Sequence, residues 1–283
     1  MLLQTLAIGT VALLVTALPS SPFDRRASIS VTSTDNLVKY ANYADAAYAD
    51  VKVDTWSCSG ACKTNATAGT TVYATWNYPK VASTGYMAYN HKNEEIIVAY
   101  RGTKTPQGWI TNVKYFKDDW PSGVEDSEVH QGFLKAYKAS QSFVSKSLSA
   151  LTESLPTYKI IFVGHSLGGA LASLNAADVA QNAPSRIKQM QLFTYGQPRV
   201  GNKEFATWMS NRGFPIYRVT YKQDIVPHLP PQLFGFKHFN QEVWYQLSGE
   251  PKWCGSTTEN KQCQNSVDAD DYSTDDHSKY PGL

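Results

Sequence analysis

Charge is sparse in this sequence: Asp, Glu, Lys and Arg make up 18% of the 283 residues and leave a formal net charge of +2. So small a balance gives no strong field of the kind that attracts nucleic acid or acidic lipid. It is also too little charge for a disordered chain, and 42% hydrophobic residues supply enough apolar surface for a packed core. Cysteine is scarce as well. The four present fall as two close pairs, Cys58/Cys62 and Cys254/Cys263, without zinc-ribbon spacing and without a histidine nearby in sequence, so no metal site is expected. Internal repeats, low-complexity tracts and linkers are missing from residues 27–283, which are therefore expected to form one domain.

The long apolar run MLLQTLAIGTVALLVTALPSS stands at the amino terminus. Val15-Thr16-Ala17 satisfies the small-x-small rule for cleavage, so residues 1–17 are expected to be a signal peptide. A permanent membrane anchor is the alternative, but the run is at the lower edge of spanning length and Pro19 follows it. Arg25-Arg26 is a dibasic pair just before the composition changes, which makes residues 18–26 a candidate propeptide and 27–283 the mature domain. An exported chain meets an oxidising compartment. The close cysteine pairs are then expected as local disulfides, Cys58–Cys62 and Cys254–Cys263, and Asn65-Ala66-Thr67 becomes an acceptor sequon for N-glycosylation.

Along the mature chain, Gly85–Asn90 and Glu95–Tyr100 read as a hairpin around His91-Lys92-Asn93. Tyr158–Val163, Gln191–Tyr195 and Ile216–Tyr221 are apolar runs of the kind buried on both faces, and helical pattern separates each from the next. The intervening segment 132–155 repeats apolar residues at helical spacing until Pro156 stops it, and Asn202 can cap a further helix that ends before Gly213. A strand is expected over His238–Leu247. The pattern implies a mixed, mostly parallel sheet with helices on both faces.

The chemistry concentrates in Lys159–Leu174, where a buried strand runs into Gly164-His165-Ser166-Leu167-Gly168 and then into helix pattern. This is a nucleophile elbow in its expected context: the turn is so tight that the positions two before and two after the serine must lack side chains. Ser166 is thus a candidate nucleophile, with a helix N-terminus beside it to stabilise a developing oxyanion. A serine needs a base, and on this kind of sheet the acid and the histidine follow it in chain order. Asp224 lies just beyond the run ending at Tyr221, at the sheet edge where ligands bind. His228 shares its loop, His238 stands at the expected strand, and His277 lies in the terminal loop, so on the residues alone His277 and His238 both stay open as the base.

Taken together, these segments resemble the fungal class 3 lipases, the group of the Rhizomucor, Rhizopus and Thermomyces lipases and related feruloyl esterases. The resemblance runs from about Ala27 to the end. It rests on Tyr100-Arg101-Gly102-Thr103, Val129-His130-Gln131-Gly132-Phe133, the elbow, Tyr195-Gly196-Gln197-Pro198-Arg199-Val200-Gly201, the stretch from Asp224 to Pro231, and Asp276-His277-Ser278-Lys279-Tyr280. It implies the α/β-hydrolase fold, a triad of Ser166, Asp224 and His277, and an oxyanion hole from Thr103 and the backbone N–H of Leu167. It places both cysteine pairs where such lipases have disulfides. The departures are Pro281, where the family usually has Phe, and the lack of a cysteine-pinned tail after it.

The resulting expectation is a secreted, monomeric triacylglycerol lipase that needs no cofactor and meets its lipid at an oil–water interface. A lid is expected at about residues 104–115, with Trp109, Ile110 and Val113 as its apolar face and Pro106 and Gly108 as a hinge. Two rivals stand beside it. A feruloyl or other polar-ester esterase would share the triad, and a catalytically dead binding protein would share the fold.

Overall fold

The computed structural model describes residues 32–283 other than 106, 109 and 111–113. The expected signal peptide (1–17) and propeptide (18–26) lie outside the described residues, as do Trp109 and Val113 of the expected lid. Ile110 is helical and partly buried.

Helix α1 (Thr34–Ala46) opens at Ser33, whose hydroxyl accepts the backbone N–H of Asn36. Leu37, Tyr40, Ala41 and Ala44 follow at i, i+3, i+4 and i+7 and are buried. Three antiparallel strands come next, β1 (Thr70–Tyr78), β2 (Ser83–Asn90) and β3 (Glu95–Tyr100). Strands β4 (Lys117–Asp119) and β5 (Glu128–His130) form a separate ribbon that leads into α2 (Gln131–Ser154). The chain then alternates: β6 (Lys159–His165), α3 (Leu167–Asn182), β7 (Met190–Tyr195), α4 (Lys203–Ser210) and β8 (Ile216–Tyr221). Strands β9 (Glu242–Tyr245) and β10 (Pro251–Trp253) complete an eight-stranded sheet in the order β1-β2-β3-β6-β7-β8-β9-β10. It is parallel from β3 to β9 and antiparallel at both ends. The mixed, mostly parallel architecture of an α/β-hydrolase is what the alternation of buried runs and helices implies.

Register explains the two cores. Val98, Phe162, Leu192 and Ile216 pair in sequence across four strands and point to one face, where Phe133, Leu171 and Leu174 of α2 and α3 cover them. Their neighbours Ala99, Val163, Phe193 and Tyr217 pair likewise and point to the other face, under Leu37, Tyr40 and Ala44 of α1. Strands buried on both sides must be apolar throughout, and each large side chain so buried contributes about 1.5–3 kcal/mol.

One expected element is shorter than its sequence suggests. His238 does not begin a strand; the ladder starts only at Glu242, because Gln241 adopts φ +65° and breaks the extended run. Both disulfides, Cys58–Cys62 and Cys254–Cys263, are formed. Asn65 is exposed, while the sequon's Thr67 is buried and its hydroxyl donates to Ala61 O at 2.6 Å. Among the described residues no helix is long and apolar enough to cross a membrane.

Candidate active site

Ser166 sits at the junction of β6 and α3 with φ 59° and ψ −133°, a conformation L-residues avoid at a cost of order 1–3 kcal/mol. Packing explains how the strain persists. A Cβ on Gly164 would lie 2.3 Å from the carbonyl of Gly168, and one on Gly168 would lie 2.2 Å from Tyr100 O. Neither position admits a side chain, so the helix can follow the strand this closely only with glycine at both. The backbone N–H of Ser166 donates to Tyr195 O at 2.8 Å, which ties the elbow to β7.

Asp224 is delivered just past β8 and is fully buried. Its Oδ1 accepts the N–H of Val226 at 2.9 Å, and its Oδ2 accepts His277 Nδ1–H at 2.9 Å and the Tyr280 hydroxyl at 2.6 Å. A carboxylate with three donors is held in one orientation. Burial and the adjoining Asp224 charge push the Tyr280 phenol up, so it remains a donor. From the other side, Gln264 Nε2 donates to the Asp224 carbonyl at 2.9 Å. Gly196, at φ +55°, lets the β7 exit pass close by, since a Cβ there would come within 2.9 Å of Asp224 and His277 atoms.

His277 is held at both its ring and its backbone. The ring of His165 lies 4.5 Å from that of His277, and His165 Nε2 is 2.8 Å from the His277 carbonyl. A carbonyl only accepts, so His165 carries its proton on Nε2, and its Nδ1 accepts the Tyr48 hydroxyl at 2.8 Å. Burial, with His277 beside it, drives the His165 imidazole well below its usual range and keeps it neutral. Tyr48–His165–His277 is therefore a directional chain of hydrogen bonds that fixes the terminal loop.

The buried atoms without a hydrogen-bond partner among the described residues include Ser166 Oγ, His277 Nε2 and Thr103 Oγ1. Burying three polar atoms unpaired is costly, and a reaction that moves a proton from Ser166 to His277 beside a developing oxyanion would use these same three. Gly102 brings the Thr103 segment to the nucleophile: its Cβ position lies 3.0 Å from Ser166 Cβ. Leu167 is the first residue of α3, where backbone N–H groups lack intrahelical acceptors.

The remaining histidines are occupied elsewhere. His238 Nε2 donates to Pro227 O at 2.7 Å, and burial and Arg218 hold the ring well below its usual range. It belongs to a buried ionic cluster in which Arg199 makes a two-point contact with Glu259, at 2.8 and 2.9 Å. Burial alone would raise Glu259, but the Arg199 hydrogen bonds hold it well below the usual carboxylate range. His228 stacks on Tyr272, and His130 caps α2 by accepting from Gly132 and Phe133 N–H groups. Tyr280, Tyr48, His165 and Gln264 are site residues to which sequence reasoning assigns no role; local signals exist for His165, next to Ser166 in the elbow, and for Tyr280, three residues after His277 in a terminal motif.

A cavity of about 510 Å³ opens beside His277, lined by Asp45, Tyr48, Thr103, Lys104, His165, Ser278 and Leu283 in addition. Ser166 itself has no exposed surface.

Comparison with known proteins gives a consistent picture. The family model for class 3 lipases matches residues 97–234. A lipase of Rhizopus niveus is 39% identical over 188 residues, 65% of this chain and 47% of that protein. The chain thus spans about half the length of the Rhizopus relatives it matches. A secreted mono- and diacylglycerol lipase of Fusarium solani is 34% identical over 234 residues, 79% of this chain and 67% of that protein. Among solved structures, a triacylglycerol lipase whose catalytic centre is a serine-protease triad superposes with a TM-score of 0.82 at 32% identity, covering 89% of this chain and 96% of the other.

Proposed function

The chain belongs to the class 3 lipase family, and from that premise we propose that it is a secreted serine ester hydrolase acting on acylglycerols through an acyl-enzyme on Ser166. The observation that carries this reading is the fully buried His277–Asp224 pair at 2.9 Å, with the unpaired Ser166 Oγ and His277 Nε2 in the same site. Asp224 fixes the imidazole tautomer with the proton on Nδ1, so Nε2 is free to take the Ser166 proton as Oγ attacks the ester carbonyl. The oxyanion forms beside Thr103 and the Leu167 N–H, and removing one such donor costs about 10²–10³ in rate. His277 then returns the proton to the leaving alcohol, and water repeats the cycle on the acyl group. The strained Ser166 backbone keeps its oxygen raised over the sheet between attacks.

The apolar residues Trp109, Ile110 and Val113 in the sequence of the 104–115 segment support a lipid surface as the natural partner, with that segment as a gate next to Thr103. Relatives named as lipases, several of them as secreted, favour acylglycerols over polar aryl esters and export over retention. Initial rates on emulsified long-chain triacylglycerol, a soluble short-chain ester and methyl ferulate test the reading. The expected order puts the emulsion first, with Ser166→Ala inactive on all three. A dominant rate on methyl ferulate would assign the chain to the feruloyl-esterase rival.

A further inference from the structure

Asp45 is a residue that fold stability does not explain. It lies in the last turn of α1, where the negative end of the helix dipole disfavours a carboxylate. It is partly buried; its backbone carbonyl accepts the N–H of Ala47, while its carboxylate makes no ion pair or hydrogen bond with another described residue. Burial raises its carboxyl above the usual range. Each of these features weighs against the folded state, and the carboxylate is left available to accept from a molecule in the space it faces.

What it faces is the cavity beside His277. That cavity falls within the roughly 300–1,000 Å³ of small-molecule sites, and its walls include both the candidate base and the candidate oxyanion residue, Thr103. Resting on the function proposed above, the acylation step places one substrate fragment on the histidine side. The ester C–O bond breaks, the acyl carbon stays on Ser166 Oγ, and the departing oxygen takes from His277 Nε2 the proton that came from Ser166. The fragment next to His277 is therefore the alcohol. An acyl chain in the same space would desolvate the Asp45 carboxylate and the polar ends around it against methylenes. An alcohol with spare hydroxyls brings hydrogen-bonding groups to them instead.

We propose that this cavity receives the leaving alcohol and that Asp45 selects alcohols carrying a further free hydroxyl, as a partial glyceride does. Tyr48, Lys104 and Ser278 line the same space with polar ends, and Leu283 gives it one apolar wall. Hydrogen bonds from a hydroxyl to a desolvated carboxylate are among the stronger kind, and a site built to accept one discriminates against the analogue that lacks it.

The test compares glycerol monobutyrate with methyl butyrate, each below its solubility limit. Both give the same acyl-enzyme, so any difference in kcat/KM arises from the alcohol. The wild type is expected to favour the glyceryl ester, and Asp45→Leu to lower that preference about tenfold while methyl butyrate changes by less than about twofold. Asp45→Asn, whose amide oxygen still accepts, is expected to fall between. Neither variant should melt below the wild type, since each removes an unpaired charge from a helix end. An unchanged preference, or equal losses on both esters, overturns the assignment of Asp45 while leaving the hydrolase reading intact. Turnover of neither ester by the wild type overturns both.

Discussion

Replacing Tyr280 with Phe removes one oxygen from the candidate site and leaves its packing in place. The hydroxyl donates at 2.6 Å to Asp224 Oδ2, the same oxygen that receives His277 Nδ1–H. A hydrogen bond to a buried charge contributes about 1.5–3 kcal/mol, so Tyr280→Phe should lower unfolding free energy by an amount in that range. The kinetic consequence should be small. Plateau kcat should stay within about tenfold, because Val226 N–H and His277 still orient Asp224. Urea unfolding and initial rates on a soluble ester provide the readouts. Unchanged stability would refute the argument that the phenol holds Asp224, and a fall of about 10⁴ in kcat would make Tyr280 part of the proton-transfer machinery.

Glu259→Ala leaves Arg199 buried without its counter-ion and should cost about 3–5 kcal/mol in urea unfolding; a loss under about 1 kcal/mol would mean the pair is solvated. Gly168→Ala forces a Cβ to within 2.2 Å of Tyr100 O, so melting temperature and activity should fall together, and a stable, active variant would contradict the close-approach account. Acidification should weaken the fold. Burial pushes His130 down to about 4 and, with Arg199 nearby, His228 down to about 3, so below about pH 6.5 the unfolded chain takes up protons that the folded chain cannot. Unfolding free energy should drop by up to about 1.4 kcal/mol per pH unit for each such histidine between about 6.5 and 4; urea midpoints that stay flat over that window would argue against neutral buried rings.

The parts of the site legible in the sequence are those fixed by local sterics or by chain order. The elbow is written in two glycines because the strand-to-helix turn excludes side chains at both positions. Asp224 is found because it follows a strand recognisable from its apolar run. The choice between His277 and His238 is not local: it turns on which ring reaches Asp224, 53 residues from His277 in sequence. The Tyr48–His165 contact spans 117 residues and no spacing rule announces it. Helix α1 escapes notice although Ser33 and the spacing of Leu37, Tyr40, Ala41 and Ala44 signal it, and β1 hides because threonines and Asn77 interrupt its apolar residues and leave no continuous apolar run. The overlong strand at His238 shows the converse limit, since β-rich composition does not reveal the positive φ of Gln241 that ends pairing.

The most direct test of the mechanism is to trap its covalent intermediate. The protein is mixed with a short-chain p-nitrophenyl ester, quenched in acid within the first turnover and mapped by peptide mass spectrometry. Ser166 should carry the acyl mass, Ser166→Ala should carry none, and His277→Ala should acquire it at least about 10³-fold more slowly. Acylation at any other residue, or the same labelling in Ser166→Ala, would contradict a Ser166 acyl-enzyme.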